Sequence, residues 1–116
     1  YNANPDSVKC GIDSLLDLPG RHVCILGDML ELGTEEKEMH RDVGAYAASR
    51  GVDLVLCCGP LGAEIAAGAG KRGKWFPGCE TLIGALPELI RDGDRVLVKA
   101  SRGMHFEQIA EALKCL

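Results

Sequence analysis

His22-Val23-Cys24-Ile25-Leu26-Gly27-Asp28 and Asp53-Leu54-Val55-Leu56-Cys57-Cys58-Gly59-Pro60 decide the fold. The first is a short apolar run rich in β-branched residues that stops at Gly27-Asp28. The second is closed by Gly59-Pro60, so both read as buried strands. Between them the pattern turns helical from Glu35, with acidic residues in the first turn, Met39, Val43, Tyr46 and Ala47 on one face, and Gly51 in the C-terminal capping position. A strand, a helix and a strand, joined by a connection too long for a hairpin, imply a right-handed crossover between parallel neighbours.

The same alternation extends outward. Asn4-Pro5-Asp6 reads as a helix start, with Asn4 as N-cap, and Val8, Ile12, Leu15 and Leu16 recur at helical spacing until Pro19-Gly20. Beyond Gly59-Pro60, Leu61, Ile65, Ala66 and Ala69 suggest a third helix, and Lys74 to Phe76 a short strand. Thr81 to Ile90 looks helical, with Pro87 expected to kink or restart it. Arg95 to Lys99 is the fourth strand, and Phe106, Ile109, Ala110 and Leu113 mark a final helix. The expected architecture is one α/β domain over residues 1–116, Rossmann-like and three-layered, with a mainly parallel sheet and helices on both faces. Strand order is not readable from these patterns. The chain opens at Tyr1, at a loop that would lead from a strand into the first helix, so a further strand and further domains are expected upstream.

At 116 residues, 47% hydrophobic and 26% charged, the chain has globular composition and the size of one domain. Its net charge of −4, scattered basic residues and few aromatics argue against a nucleic-acid surface. No apolar run approaches the roughly 20 residues a membrane helix needs, and no signal segment opens the chain, so a cytoplasmic location is expected. Cys10, Cys24, Cys57, Cys58, Cys79 and Cys115 form no Cys-x-x-Cys pair and read as reduced core thiols rather than a metal site.

In open parallel sheets, ligands bind outside the carboxyl ends of the strands. Tyr1 to Asn4, Gly27 to Gly33, Gly59-Pro60 and Lys99 to Arg102 occupy that position and should share one edge. Val96-Leu97-Val98-Lys99-Ala100-Ser101-Arg102-Gly103 delivers a cation, a hydroxyl and a guanidinium there, a set suited to a carboxylate or phosphate. Asp28, directly at a strand end, can orient an amine or a Mg²⁺-bound water, or can simply cap the loop. Glu31 reads equally well as a solvated loop acid. His40, inside a helix, reads as a surface or packing residue, and His22 and His105 carry even less functional signal. Gly68, Gly70 and Gly73 satisfy G-x-G-x-x-G, but they follow a helix and precede a strand, the reverse of a dinucleotide fingerprint. Gly70-Lys71 is no P-loop either, because Arg72 stands where Ser or Thr should hold Mg²⁺.

Tyr1-Asn2-Ala3-Asn4-Pro5-Asp6-Ser7, Leu26-Gly27-Asp28-Met29-Leu30-Glu31-Leu32-Gly33, His40-Arg41-Asp42-Val43-Gly44 and Leu97-Val98-Lys99-Ala100-Ser101-Arg102-Gly103-Met104, in that order, closely resemble the carboxy-terminal domain of the Mur ligase family. Within it they are most similar to the branch that joins D-alanyl-D-alanine to UDP-N-acetylmuramoyl-tripeptide in peptidoglycan synthesis. The resemblance implies an ATP-dependent, C–N bond-forming enzyme with an amino-terminal nucleotide-sugar domain, a central P-loop ATPase domain, and this domain closing over the site. ATP then phosphorylates the peptide carboxylate with Mg²⁺, and the incoming amine attacks the acyl phosphate. Tyr1, Asn2 and Asn4 would face ATP across the domain cleft. Asp28, Lys99, Ser101 and Arg102 would surround D-alanyl-D-alanine, with Arg102 or Lys99 on its carboxylate and Asp28 near its ammonium. ATP and Mg²⁺ would be held mainly by the central domain, so this chain alone is expected to be inactive.

Two positions depart from the family pattern. Ala100 stands where glycine is usual, which a negative φ would tolerate, and His105 stands where a basic residue is more common. A receiver-like signalling module with Asp28 as phospho-acceptor, or a stand-alone nucleotide-binding module, are the alternatives on the same skeleton.

Overall fold

The computed structural model describes residues 3–101 and 106–116. Helix α1, Pro5–Leu16, starts where local chemistry places it: Asn4 Oδ1 accepts the Ser7 N–H at 2.9 Å, and Ser7 Oγ accepts the Asn4 N–H at 3.1 Å. Strand β1, His22–Leu26, follows, then α2, Glu36–Arg50, which ends on Gly51 in the left-handed conformation. The chain continues through β2 (Leu54–Cys58), α3 (Gly62–Ala69), a 3-10 turn over Gly70–Arg72, β3 (Gly73–Phe76), α4 (Cys79–Leu89), β4 (Arg95–Lys99) and α5 (Glu107–Lys114). Pro87 does not restart α4, which runs through it. The proline falls in the last turn, and the burial of Leu82 and Leu86 outweighs the one bond its missing N–H removes.

The four strands form one all-parallel sheet in the order β3-β2-β1-β4. Strand alternation divides the core. Cys24, Leu26, Val55 and Cys57 point to the side where Val8 and Ile12 of α1, Val43 and Ala47 of α2, and Ile65 of α3 pack. Val23, Ile25, Leu56 and Cys58 point to the other side, against Leu82 and Leu86 of α4 and Phe106 and Ile109 at α5. The chain therefore steps outward from β1 to β3 over one face, then returns over the other to place β4 beside β1. At the amino-terminal end of this seam, Arg21 donates from Nε and Nη2 to the two carboxylate oxygens of Asp94, at 3.0 and 2.8 Å. That pairing holds the Asp94 carboxyl below the usual range.

The buried stripe of α2 is His40, Val43, Gly44 and Ala47, with Met39 and Tyr46 only half-buried, so it is rotated from the face the apolar residues suggested. Close helix packing is the reason. A Cβ on Gly44 would lie 1.9 Å from the Ile65 carbonyl oxygen, and one on Gly68 would lie 2.0 Å from that of Arg41. Thus α2 and α3 meet backbone to backbone, and Gly68 belongs to that contact rather than to a nucleotide motif. Gly44→Ala should destabilise the domain by about 1–3 kcal/mol in urea unfolding, despite the usual gain of replacing a helical glycine. Gly84→Ala in α4, where a Cβ would meet nothing within 4 Å, should stabilise it by roughly 0.5–1 kcal/mol. Equal shifts for the two would rule out the close approach.

Not every cysteine is in the core. Cys24, Cys57 and Cys58 are buried and Cys79 is half-buried, but Cys10 and Cys115 are exposed. Cys10 lies off the Val8, Ile12 and Leu15 stripe of α1, and Cys115 caps the end of α5. Burial pushes the Cys24 and Cys58 thiols up to about 12 and raises Cys57 as well, which suppresses the reactive thiolate. Titration with a disulfide reagent should modify Cys10 and Cys115 rapidly, and Cys24, Cys57 and Cys58 only on unfolding.

Candidate functional site

The carboxyl ends of β1, β2 and β4 meet through three sets of contacts. Past the last ladder pair, the Gly27 N–H donates to the Lys99 carbonyl at 3.1 Å, and the Ser101 N–H to the Asp28 carbonyl at 3.0 Å. The Leu30 N–H donates to Ser101 Oγ at 2.8 Å. From the other side, Asp28 Oδ1 accepts the N–H groups of Leu61 and Gly62 at 2.9 and 3.0 Å. Helix α3 has no capping side chain of its own, so Asp28 caps it from a different loop. Trp75 Nε1 donates to the Gly59 carbonyl at 2.8 Å and steadies the β2–α3 connection.

The loops after β1, β2 and β4 therefore share one edge, as expected. Helix α1 packs beside β4, with Gly11 next to Leu97 and the alkyl stem of Lys99. Asp28 and Ser101 are brought together, both almost fully buried, and both are engaged in holding loops. The Oδ1 of Asp28 performs a capping role, at the start of α3 rather than within its own loop. Lys99 is half-buried. Asn4 serves as the N-cap of α1. Tyr1, Asn2, Arg102 and His105 lie outside the described residues. Ala100 has no positive φ, since Glu31, at 63°, is the non-glycine residue with one among those described. Its methyl group is therefore tolerated. An open cleft of about 340 Å³ lies between the end of β4 and α5, lined by Val98, Lys99, Ala100, Ser101, Phe106, Glu107 and Ala110.

One residue escaped the sequence reading as a member of this edge. His40 is fully buried, its Nε2 accepts the Met29 N–H at 2.8 Å, and its Nδ1 lies 2.6 Å from the Glu36 carbonyl oxygen. The signal was present: positions 40, 43, 44 and 47 follow the i, i+3, i+4, i+7 spacing of a buried stripe.

Burial pushes the Asp28 carboxyl above its ordinary range, opposed by the N–H bonds from Gly62 and Leu61. Asp28→Ala should cost about 1–2 kcal/mol through loss of the cap, whereas Asp28→Asn keeps an acceptor oxygen and should cost less. Because the folded pKa lies above the unfolded one, the stabilising contribution of Asp28 is complete below about pH 4 and fades as pH rises through the raised value. The stability of the wild type relative to Asp28→Asn should therefore decline with rising pH in chemical unfolding. An increase over the same range would contradict the burial argument.

Fold and edge define a Rossmann-like domain that presents its strand ends to a ligand. Residues 1–102 match the model of the Mur ligase, glutamate ligase domain, and the chain belongs to the Mur ligase family. It is 40% identical over 97% of its length to the UDP-N-acetylmuramoyl-tripeptide--D-alanyl-D-alanine ligase of Bacillus subtilis (strain 168), covering 26% of that protein. The same-named ligase of Escherichia coli (strain K12) is 36% identical over 98% of the chain, which covers 25% of it. Among solved structures, a MurF from Acinetobacter baumannii superposes with a TM-score of 0.89 at 30% identity, over 98% of this chain and 27% of that one. A MurF ligase from Thermotoga maritima in complex with ADP gives 0.85, also at 30% identity, over 99% and 26%. The chain thus spans about a quarter of the length of the relatives it matches.

Proposed function

We propose that this chain is the carboxy-terminal domain of an ATP-dependent ligase that joins D-alanyl-D-alanine to UDP-N-acetylmuramoyl-tripeptide in peptidoglycan synthesis, acting in the cytoplasm. What supports the proposal is that relatives of this chain bear that activity in their names, together with the meeting of the loops after β1 and β4 at one edge, where Gly27 pairs with the Lys99 carbonyl and Asp28 with Ser101. A family ligase needs this domain to present the amine substrate and exclude water while the activated carboxylate is made elsewhere.

ATP, with Mg²⁺, supplies activation of the tripeptide carboxylate. The described residues fit neither group alone. Gly70-Lys71-Arg72 forms a 3-10 turn after α3 rather than a phosphate loop between strand and helix, and no group of acids gathers for a metal among them. Both are therefore assigned to the enzyme's central domain, with Tyr1, Asn2 and Asn4 at the nucleotide side of the cleft. On the amine side, Arg102 or Lys99 holds the dipeptide carboxylate. Asp28 helps position the ammonium, while its Oδ1 accepts the Leu61 and Gly62 N–H groups. The Ser101 hydroxyl holds Leu30 and so shapes the same wall. The deprotonated amine then adds to the carbonyl carbon of the acyl phosphate, and the tetrahedral intermediate expels phosphate and loses the remaining proton as the amide forms.

Phosphate release by the full-length gene product should require ATP, Mg²⁺, UDP-N-acetylmuramoyl-tripeptide and D-alanyl-D-alanine together. Arg102→Ala should raise the KM for the dipeptide by about 10- to 100-fold, the worth of a charge-assisted hydrogen bond. The isolated chain should hydrolyse no ATP. Release independent of the dipeptide would assign the chain to a different ligase.

A further inference from the structure

Among the described residues, His40 is a fully buried imidazole at this edge that the proposed mechanism does not use. A backbone N–H can only donate, so the bond from Met29 makes Nε2 the unprotonated nitrogen, and Nδ1 carries the hydrogen that goes to the Glu36 carbonyl. The first turn of α2 thereby selects one tautomer, and that tautomer holds Met29. The flanking positions are held from elsewhere: the Asp28 carbonyl by the Ser101 N–H, its carboxylate by α3, and the Leu30 N–H by Ser101 Oγ. Residues 28, 29 and 30 are thus tied in turn to Ser101 in the loop after β4, to His40 of α2 and again to Ser101, and Glu31 leaves the clamp at φ 63°, a conformation that a non-glycine residue keeps only where its surroundings impose it. Met29 itself is 1% exposed, so no solvent molecule is at hand to replace His40 as its acceptor.

We infer that His40 is a positioning residue for the amine substrate: acting through the Met29 N–H, it sets the β1–α2 loop in the geometry in which Asp28 meets the dipeptide ammonium. The inference rests on the function proposed above. It assigns to His40 no contact with substrate, and so separates two kinds of variant. His40→Phe keeps a ring of similar size and removes the acceptor, leaving a buried N–H unpaired. His40→Gln places an amide oxygen near the position of Nε2 and keeps the bond.

Two measurements test it. In NMR spectra of this chain, the Met29 amide should show slow hydrogen exchange and a scalar coupling across the hydrogen bond to His40 Nε2. His40→Phe should lose the protection at Met29 and Leu30, while amides in β2 and α4 keep theirs. In the full-length ligase, His40→Phe should raise the KM for D-alanyl-D-alanine about tenfold or more, with the KM for ATP within about twofold, and His40→Gln should recover most of the dipeptide affinity. An unprotected Met29 amide in the wild type overturns the clamp. A lost clamp with unchanged dipeptide KM, or with equal changes for both substrates, overturns the positioning role. If the wild-type ligase itself shows no dipeptide-dependent turnover, the function fails and this substrate with it, while the Met29 amide still decides whether His40 holds the loop.

Discussion

The seam between β1 and β4 is the contact on which the ligand edge depends. Pairing does not stop at the strand ends: Gly27 to Lys99 and Ser101 to Asp28 carry it into the loops, and the Ser101 side chain extends it to Leu30. Just beyond, the two chains part, because β1 leads to α2 on one face of the sheet and β4 leads toward α5 on the other. That divergence opens the crevice in which open α/β sheets bind their ligands. The polar groups there line the crevice because the hydrogen-bond ladder has brought their loops into register.

Asp28 links this seam to the rest of the fold. Its carboxylate supplies the cap that α3 lacks, and so couples the loop after β1 to the loop after β2. Helix α3 in turn lies against α2 with no side chain between them at Gly44 and Gly68, so its position has little freedom. The arrangement places a carboxylate where burial opposes its charge and backbone N–H groups favour it. Such a group holds the two loops in one relation to each other, its two N–H donors offsetting part of the desolvation.

Much of this was legible locally. The N-cap of α1 at Asn4, the strand at His22 to Leu26 and the glycine after α2 are short-range features, and the structure places them where the residues indicate. Less legible were features whose partners lie far along the chain. The apolar stripe of α2 suggested Met39 and Tyr46, yet His40 and Gly44 are buried, because what α2 packs against is set by α3 and the loop at Met29. Pro87 suggested a kink or a restart, and α4 runs through it without restarting, since burial of Leu82 and Leu86 outweighs a local bond. Cys10 and Cys115 are as apolar as their buried counterparts and face solvent because of where their helices turn them.

The sequence by itself determined the α/β alternation, the parallel crossovers and which loops would gather at the carboxyl ends of the strands. Those follow from hydrophobic periodicity, capping residues and chain-connection rules, all of which act over short separations. Tertiary structure alone decided the order β3-β2-β1-β4, the choice of Asp28 as the cap of α3, and the burial of His40 against the Met29 N–H. Each of these joins groups distant in sequence, and a hydrogen bond or close packing contact between such groups is specified by where the folded layers bring them, not by any local preference of the residues themselves.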